Sequence, residues 1–481
     1  MILIAVLGCL LFCEIKLNVD IFPALSKAPD NELFCHKPQR DIIYSGSCFM
    51  KTITKPFQRE GYFMTKWSNK RQRGWGIALF LSLLMVFSAE AKKNELVIAT
   101  TFSPDATAYI ISRWQTQPQS VIIRTLNRTS ASLEQLLDGA GGENIDLVLT
   151  SSPMLLQHLQ EHQRLAAYPD APAQSQQRVP ASIRGTAVAV AISGFGLLIN
   201  QRNLSERHLP LPGSWDDLMQ ARYQGTLLMS SPSRSDTNHL MVESLLQQEG
   251  WNHGWEIILS MAGNLITISS RSFGVADKIK SGLGSVGPVI DNYANLLLDD
   301  PNLTFHYFPH SAASPTYVAM IRHNPYPADA RRFIQFLLSP EGQQALSDTN
   351  TGKYSIIPDP GNTPRARRQR QLLSEPSLNY QLILQRQRLV QKLFDTAISF
   401  RLSQLKDAWR ALHNAEARLK TPLPEVRALL TAMPVSEQQS RDEDYLRQLD
   451  NKDRAEQLMM EWQLFFQEQQ RQAIVKLENL K

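Results

Sequence analysis

Three short runs of hydroxyl-bearing residues each follow an apolar stretch and precede a helical pattern. They are Thr101-Phe102-Ser103-Pro104-Asp105, Thr150-Ser151-Ser152-Pro153 and Ser231-Pro232-Ser233-Arg234-Ser235-Asp236-Thr237. A helix begins with backbone N–H groups that have no intrahelical acceptor, and with the positive end of its dipole. A loop that ends a buried strand and opens a helix therefore presents amide hydrogens to an anion. Serine and threonine hydroxyls add donors, and a guanidinium such as Arg234 can grip a phosphate or carboxylate through two parallel bonds. The candidate ligand contacts are accordingly Thr101, Ser103, Ser151, Ser152, Ser233, Arg234, Ser235 and Thr237. Ser269-Ser270-Arg271-Ser272 repeats the pattern and adds Arg271 and Ser272. The plain alternative is that the hydroxyls only cap helices and Arg234 only pairs at the surface.

Other patterns compete with this one. His158-Leu159-Gln160-Glu161-His162 has the H-x-x-E-H form of a zinc motif. Two histidines four residues apart share a helix face and could chelate Zn²⁺, so a zinc hydrolase built on His158, Glu161 and His162 is the reading from a different class. Its weakness is the lack of a third ligand in the sequence. Gly284-Ser285-Val286-Gly287 misses the G-x-S-x-G elbow because Leu283 holds the first glycine position, and Gly194-Phe195-Gly196 lacks the third glycine of a dinucleotide loop. Arg365, Arg367, Arg368 and Arg370 cluster after residue 361; a solvated linker is the plain reading, and docking to an anionic surface the functional one.

The elements around the hydroxyl runs alternate strand and helix. Residues 95–100, 121–126 and 145–149 read as strands, with helices over 106–114 and 132–137 between them. Such alternation implies a parallel sheet flanked by helices. Residues 187–192 and 195–200 form a long apolar stretch interrupted by Gly194 and Gly196, read as a strand crossing between two lobes. Ser214 is the expected N-cap of a helix from Trp215. Further helices are expected over 238–248, 275–280, 328–338 and 341–346, and strands over 226–230 and 283–290. Residues 305–308 and 317–321 are expected to return the chain to the first lobe. From residue 362 to 481 there is no glycine, and apolar residues recur at helical spacing, which predicts long amphipathic helices.

Met64 opens a segment with four cations and no anion over 65–73, then an apolar run over 74–87, then Ser88-Ala89-Glu90-Ala91. That order is a secretory signal, with cleavage expected after Ala91 and a mature start near Lys92. Residues 1–63 lie upstream of a complete export signal, and are read as a mis-assigned upstream segment. The four cysteines, Cys9, Cys13, Cys35 and Cys48, all fall there, so residues 92–481 have none and must be held by packing. Those residues carry 39 Lys and Arg against 38 Asp and Glu, a balance that argues against a nucleic-acid binder.

Several segments together resemble a known family. Ser214-Trp215-Asp216-Asp217-Leu218, Tyr223-Gln224-Gly225, the 231–237 run, Gly284-Ser285-Val286-Gly287 leading to Asp291-Asn292-Tyr293-Ala294, and residues 333–343 are similar to bacterial extracellular solute-binding proteins of the iron(III)/sugar-phosphate type. The resemblance covers about residues 94–360. It implies a two-lobed α/β fold of the type II periplasmic-binding-protein kind, each lobe a mixed, mostly parallel sheet flanked by helices. It places lobe 1 at 92–193 and 304–360, lobe 2 at 194–303, and a helical C-terminal extension at 361–481. It further implies a periplasmic, non-enzymatic receptor that closes on its ligand, without a cofactor. Iron binders of the family use neighbouring tyrosines; here Tyr293 stands beside Asn292, with Asn295 close by, which favours a small phosphorylated carboxylate over iron. The alternative is a transport receptor for ferric ion or a hexose phosphate. Asp236 stands where the family pattern has glycine. The extension is expected to meet a membrane sensor or transporter protein.

Overall fold

The computed structural model describes residues 95–480, apart from 140, 141 and 143. The expected upstream segment, export signal and cleavage site lie outside the described residues. Apolar, β-branched runs make the first strands: Glu95–Thr100 (β1), Ile122–Asn127 (β2) and Leu147–Thr150 (β3). Between and after them come helices Pro104–Gln115 (α1), Ser130–Asp138 (α2) and Pro153–Glu161 (α3). Ser103, Thr129 and Ser152 cap these three helices through their side chains, so local sequence fixes where each begins.

Ala187–Ser193 (β4) and Phe195–Asn200 (β5) are separate strands in separate sheets, divided by Gly194 alone. The expected crossing between lobes is therefore this residue. A Cβ at Gly194 would stand 2.6 Å from a Leu372 methyl and 2.9 Å from the Tyr307 ring, and one at Gly196 would stand 2.2 Å from the His306 carbonyl oxygen. Both glycines serve close approach, as strand glycines often do.

The second lobe runs through Leu227–Ser230 (β6), Asp236–Glu249 (α4), Trp251–Ala262 (α5), Leu265–Ser269 (β7), Ser272–Lys280 (α6), Val286–Ile290 (β8) and Leu303–Tyr307 (β9). Ser214 and Asp217 close a reciprocal capping box at the start of the short Trp215–Leu218 helix. The chain then returns through Ser314–Met320 (β10), Pro327–Leu338 (α7), Pro340–Ser347 (α8) and Tyr354–Ser355 (β11). The first sheet has the order β11-β4-β10-β3-β1-β2 and the second β7-β6-β8-β5-β9. One expectation changes here. Residues 304–307 pair with β5 in the second sheet, so the return to the first lobe comes after Tyr307, not before it. Both sheets are mixed, but parallel pairs do not dominate. They are confined to β1–β3 and β6–β8, while β4, β5, β9 and β10, which lead the chain out of one lobe and into the other, and the short β11 pair antiparallel.

The extension consists mainly of Pro364–Ser374 (α9), Tyr380–Ala397 (α10), Leu402–Leu419 (α11) and Lys452–Glu478 (α12). It is not a separate appendage. Leu389, Leu393, Trp409, Leu412, Leu458 and Trp462 share one hydrophobic core with Trp251, Trp255 and Ile258 of the second lobe. Trp251 Nε1 donates to the Val435 carbonyl at 2.8 Å. Gly263 is packed so tightly that a Cβ would stand 2.4 Å from Trp409. Among the described residues, no helix is long and apolar enough to cross a membrane.

The arginine cluster on α9 is not a solvated linker. Arg365 donates to the carbonyls of Ser347 and Lys353 and lies 4.4 Å over the Tyr354 ring. Arg368 lies 4.0 Å over the Tyr307 ring, and Arg370 donates to the Asp359 and Gly361 carbonyls. With Leu372 against Gly194, α9 straps the crossing between the sheets.

Candidate anion-binding site

The strand ends of both lobes meet at one cleft. Its cavity of about 50 Å³ is lined by Thr101, Phe102, Arg128, Thr129, Ser130, Ser151 and Ser152 from the first lobe. Arg234, Ser235, Asp236, Thr237, Arg271, Ser272, Phe273, Asn292 and Tyr293 line it from the second, and Lys353 enters next to β11. Nine of the eleven residues expected from sequence converge here. Ser103 and Ser233 do not. The Ser103 hydroxyl is used as the N-cap of α1, accepting from Ala106 N–H, while its carbonyl accepts from the Thr107 hydroxyl. Ser233 bonds to the Ser231 hydroxyl at 2.8 Å and lines a neighbouring cavity against α10 instead.

Four helices point their N-terminal ends into the cleft. Ser130 opens α2, Ser152 caps α3, Asp236 and Thr237 open α4, and Ser272 opens α6. Capping and lining are compatible roles. Ser152 accepts from Leu155 N–H and Ser235 from Asn238 N–H while both face the cleft. No side chain caps α6, so its leading amide hydrogens are left for a ligand or water. The hydroxyls hold one another in place: Thr101 to Thr150 at 3.1 Å, Ser151 to Thr316 at 3.2 Å, and Ser235 to Ser272 at 3.2 Å.

The charge balance of the lining is strongly positive. Arg128, Arg234, Arg271 and Lys353 face a single carboxylate, Asp236. Arg128 and Arg234 are exposed and, among the described residues, their guanidinium groups make no hydrogen bond or ion pair. Arg271 is half-buried against the Phe273 ring at 5.3 Å. Asp236 occupies the first turn of α4, where the helix dipole favours a negative charge. Lys353 is almost fully buried and lies 4.6 Å over the Phe102 ring. Burial lowers its pKa from the ordinary lysine value, with the attraction of Asp291 acting the other way. Burial likewise raises the Asp291 carboxyl, against hydrogen bonds from Gly194 N–H at 2.7 Å and the Tyr307 hydroxyl at 3.0 Å. The Tyr293 phenol is pushed up to about 12 by desolvation, which Arg271 only partly offsets. It is therefore a hydrogen-bond donor at neutral pH and, among the described residues, the only tyrosine in the lining. The paired phenolates that would suit ferric ion are missing among the described lining residues.

Arg128, Thr129, Ser130, Phe273 and Lys353 line the cleft without having been singled out from the sequence. The first three were detectable, since Arg128-Thr129-Ser130 is another hydroxyl-bearing run between a strand and a helix. Lys353 carried no local signal.

Comparison with known proteins agrees with this architecture. The chain is 67% identical over 397 residues to the phosphoglycerate transport regulatory protein PgtC of Salmonella typhimurium, a match spanning 82% of this chain and all of that one. The chain belongs to the bacterial extracellular solute-binding proteins. The model of that family matches residues 142–374. Among solved structures, the periplasmic binding protein AfuA from Actinobacillus pleuropneumoniae, with fructose-6-phosphate bound, is similar with a TM-score of 0.53 at 17% identity. That match covers 63% of this chain and 98% of that one. The substrate-binding protein of an ABC transporter from Agrobacterium tumefaciens gives a TM-score of 0.50 at 17% identity, covering 60% and 86%. At such identities the likeness establishes the fold, a type II periplasmic-binding-protein fold carrying a helical C-terminal extension. In this fold the candidate anion-binding cleft is lined by strand ends of both sheets.

Proposed function

We propose that this chain is a periplasmic receptor for a small phosphorylated carboxylate, with phosphoglycerate the first candidate, and that it regulates uptake of that solute. The observation that carries the reading is the meeting of four helix N-termini and four cationic side chains around one cleft with a single carboxylate. A ligand with two anionic groups separated by a short carbon chain can satisfy donors from both lobes at once. Its affinity is then greatest for the closed clamp, and this differential affinity drives closure. The name of the 67%-identical relative supports the choice of solute.

In this reading the protein is exported by a cleaved signal, begins near Lys92 in its mature form and binds its solute without converting it. Residues 361–481 meet a membrane sensor or transporter protein. The outer surface of α12 supports that role, because Met460 and Leu464, one helical turn apart, are each 65% exposed.

Calorimetric titration with 3-phosphoglycerate, 2-phosphoglycerate, phosphoenolpyruvate, glucose 6-phosphate and Fe³⁺ tests the reading. A phosphorylated three-carbon acid should bind tightest, and Arg234→Ala should weaken it by about 10²-fold. Tighter binding of Fe³⁺ or glucose 6-phosphate, or an unchanged Arg234→Ala, would overturn it.

A further inference from the structure

The H-x-x-E-H run lies away from the solute cleft, and the fold supplies it with a partner that its spacing does not contain. We propose that Asp138, His158 and His162 form a site for one divalent transition metal, zinc being the first candidate. One ligand atom from each of the three lies within 4.8 Å of the other two. His158 Nε2 is 2.9 Å from both carboxylate oxygens of Asp138, and the two imidazoles lie side by side, tilted by 41°, with centroids 4.2 Å apart.

The orientation of the rings favours a metal over a simple ion pair. His162 Nδ1 is 2.8 Å from the His158 carbonyl oxygen, so this nitrogen carries the proton and Nε2 keeps the lone pair. His158 Nδ1 faces Glu134 at 3.5 Å, which leaves its Nε2 for the side of Asp138. His162 thus has Nδ1 turned to an acceptor and Nε2 available, the arrangement by which outer partners orient metal-binding histidines, while His158 Nε2 already meets the Asp138 carboxylate with which it would share a metal. An ion pair with Asp138 needs only one histidine. Two protonated imidazoles this close would repel, whereas two neutral ones can share a cation. Two imidazoles and a carboxylate form a borderline ligand set suited to zinc and its neighbours rather than to magnesium. In a tetrahedral zinc site the ligand atoms stand about 3.3 Å apart, so His162 has to close by on the order of 1.5 Å. Its side chain is exposed and can do so.

The glutamate of the motif is not part of this site. Glu161 instead accepts from Gln157 Nε2 at 2.7 Å, so the general base expected of a zinc hydrolase is turned away. The metal would instead pin α2 to α3. Both helices begin at the solute cleft and carry these ligands at their far ends. Bound metal would therefore stiffen the first-lobe wall of the cleft.

Titration of the purified protein with ZnCl₂ tests the site, with its four cysteines, all within residues 1–63, alkylated so that they take no metal. The expected result is one equivalent of zinc, no saturable uptake of Mg²⁺, and at least about tenfold weaker zinc binding in both His162→Ala and Asp138→Asn. Glu161→Gln should bind zinc as the parent does. Circular dichroism checks that each variant is folded; the side chain of His162 is exposed, so its loss leaves the core intact. Absence of saturable zinc binding, or unchanged affinity in His162→Ala, would overturn the proposal. A loss in Glu161→Gln as large as in His162→Ala would overturn it too, in favour of the sequence motif. Because the readout is zinc itself, failure here leaves the anion-receptor reading untouched.

Discussion

The carboxylate of Glu243 meets the guanidinium of Arg386 at 2.7 Å, and neither side chain reaches solvent. Glu243 lies on α4, the helix that opens at the solute cleft, and Arg386 lies on α10 of the extension. A second link runs beside it, from the Ser231 hydroxyl of the cleft loop to Asp395 of α10 at 3.1 Å. The extension is thus wired to the element that would feel a bound anion.

Removing one partner of such a pair strands a buried charge. Arg386→Met should therefore destabilise the protein by about 3–5 kcal/mol, while Glu243→Leu combined with Arg386→Met should recover most of that loss. Urea denaturation followed by circular dichroism measures both. A double variant no more stable than the single one would show that the pair does more than neutralise itself.

Lys353 should give solute binding a distinctive pH dependence. Its pKa is lowered by burial, so its charge is present at neutral pH and lost below the range where an ordinary lysine titrates. An anion prefers the protonated amine. Affinity should hold near neutrality and then fall as pH rises through the lowered pKa. Titrations between pH 7.5 and 10, where a phosphate monoester keeps its full charge, should show this decline in the parent and a flat profile in Lys353→Met. Parallel profiles would remove Lys353 from the site.

Arg128 supplies the first lobe's guanidinium to the cleft. Arg128→Ala should weaken phosphoglycerate by about 10–10²-fold, the range for losing a charge-assisted hydrogen bond. Because the residue is exposed, the melting temperature should change little. Calorimetry and a thermal melt on the same sample separate the two effects.

Gly194 is tightly enclosed at the crossing between the sheets. Gly194→Ala should cost about 1–3 kcal/mol, as overpacking does. The nearest obstacle is the flexible Leu372 side chain, so Leu372→Ala in the same chain should restore part of the loss, leaving the Tyr307 contact. Thermal melts of the two variants check the order.

How much of this was legible in the sequence follows from what one dimension can encode. Strand–helix alternation, the break at Gly194 and the Ser214 cap are local patterns, and the fold contains them. The hydroxyl runs were legible as helix openings, and their convergence follows from strands ending at one sheet edge. The helix Trp251–Ala262 was not, because it is buried on most of its surface and its polar stripe is narrow, made of Asn252, His253 and Glu256. The arginines of α9 suggest solvent in sequence; only the fold reveals carbonyls and rings as their partners. Lys353 could not be found, because its place in the cleft depends on the final return of the chain to the first sheet. The amphipathic faces of 361–481 announced burial without naming what would cover them.

β10 lies between β3 and β4, yet more than a hundred residues separate it from either. As the chain emerges from its N-terminal end, β3 and β4 have no common neighbour until residue 320 is free. The shared core of the second lobe stays open longer still, until α12 arrives. The first sheet can close once β11 is out, whereas the second lobe must wait for the C-terminal helix, so the nascent polypeptide stays incompletely packed until almost all of it has been delivered.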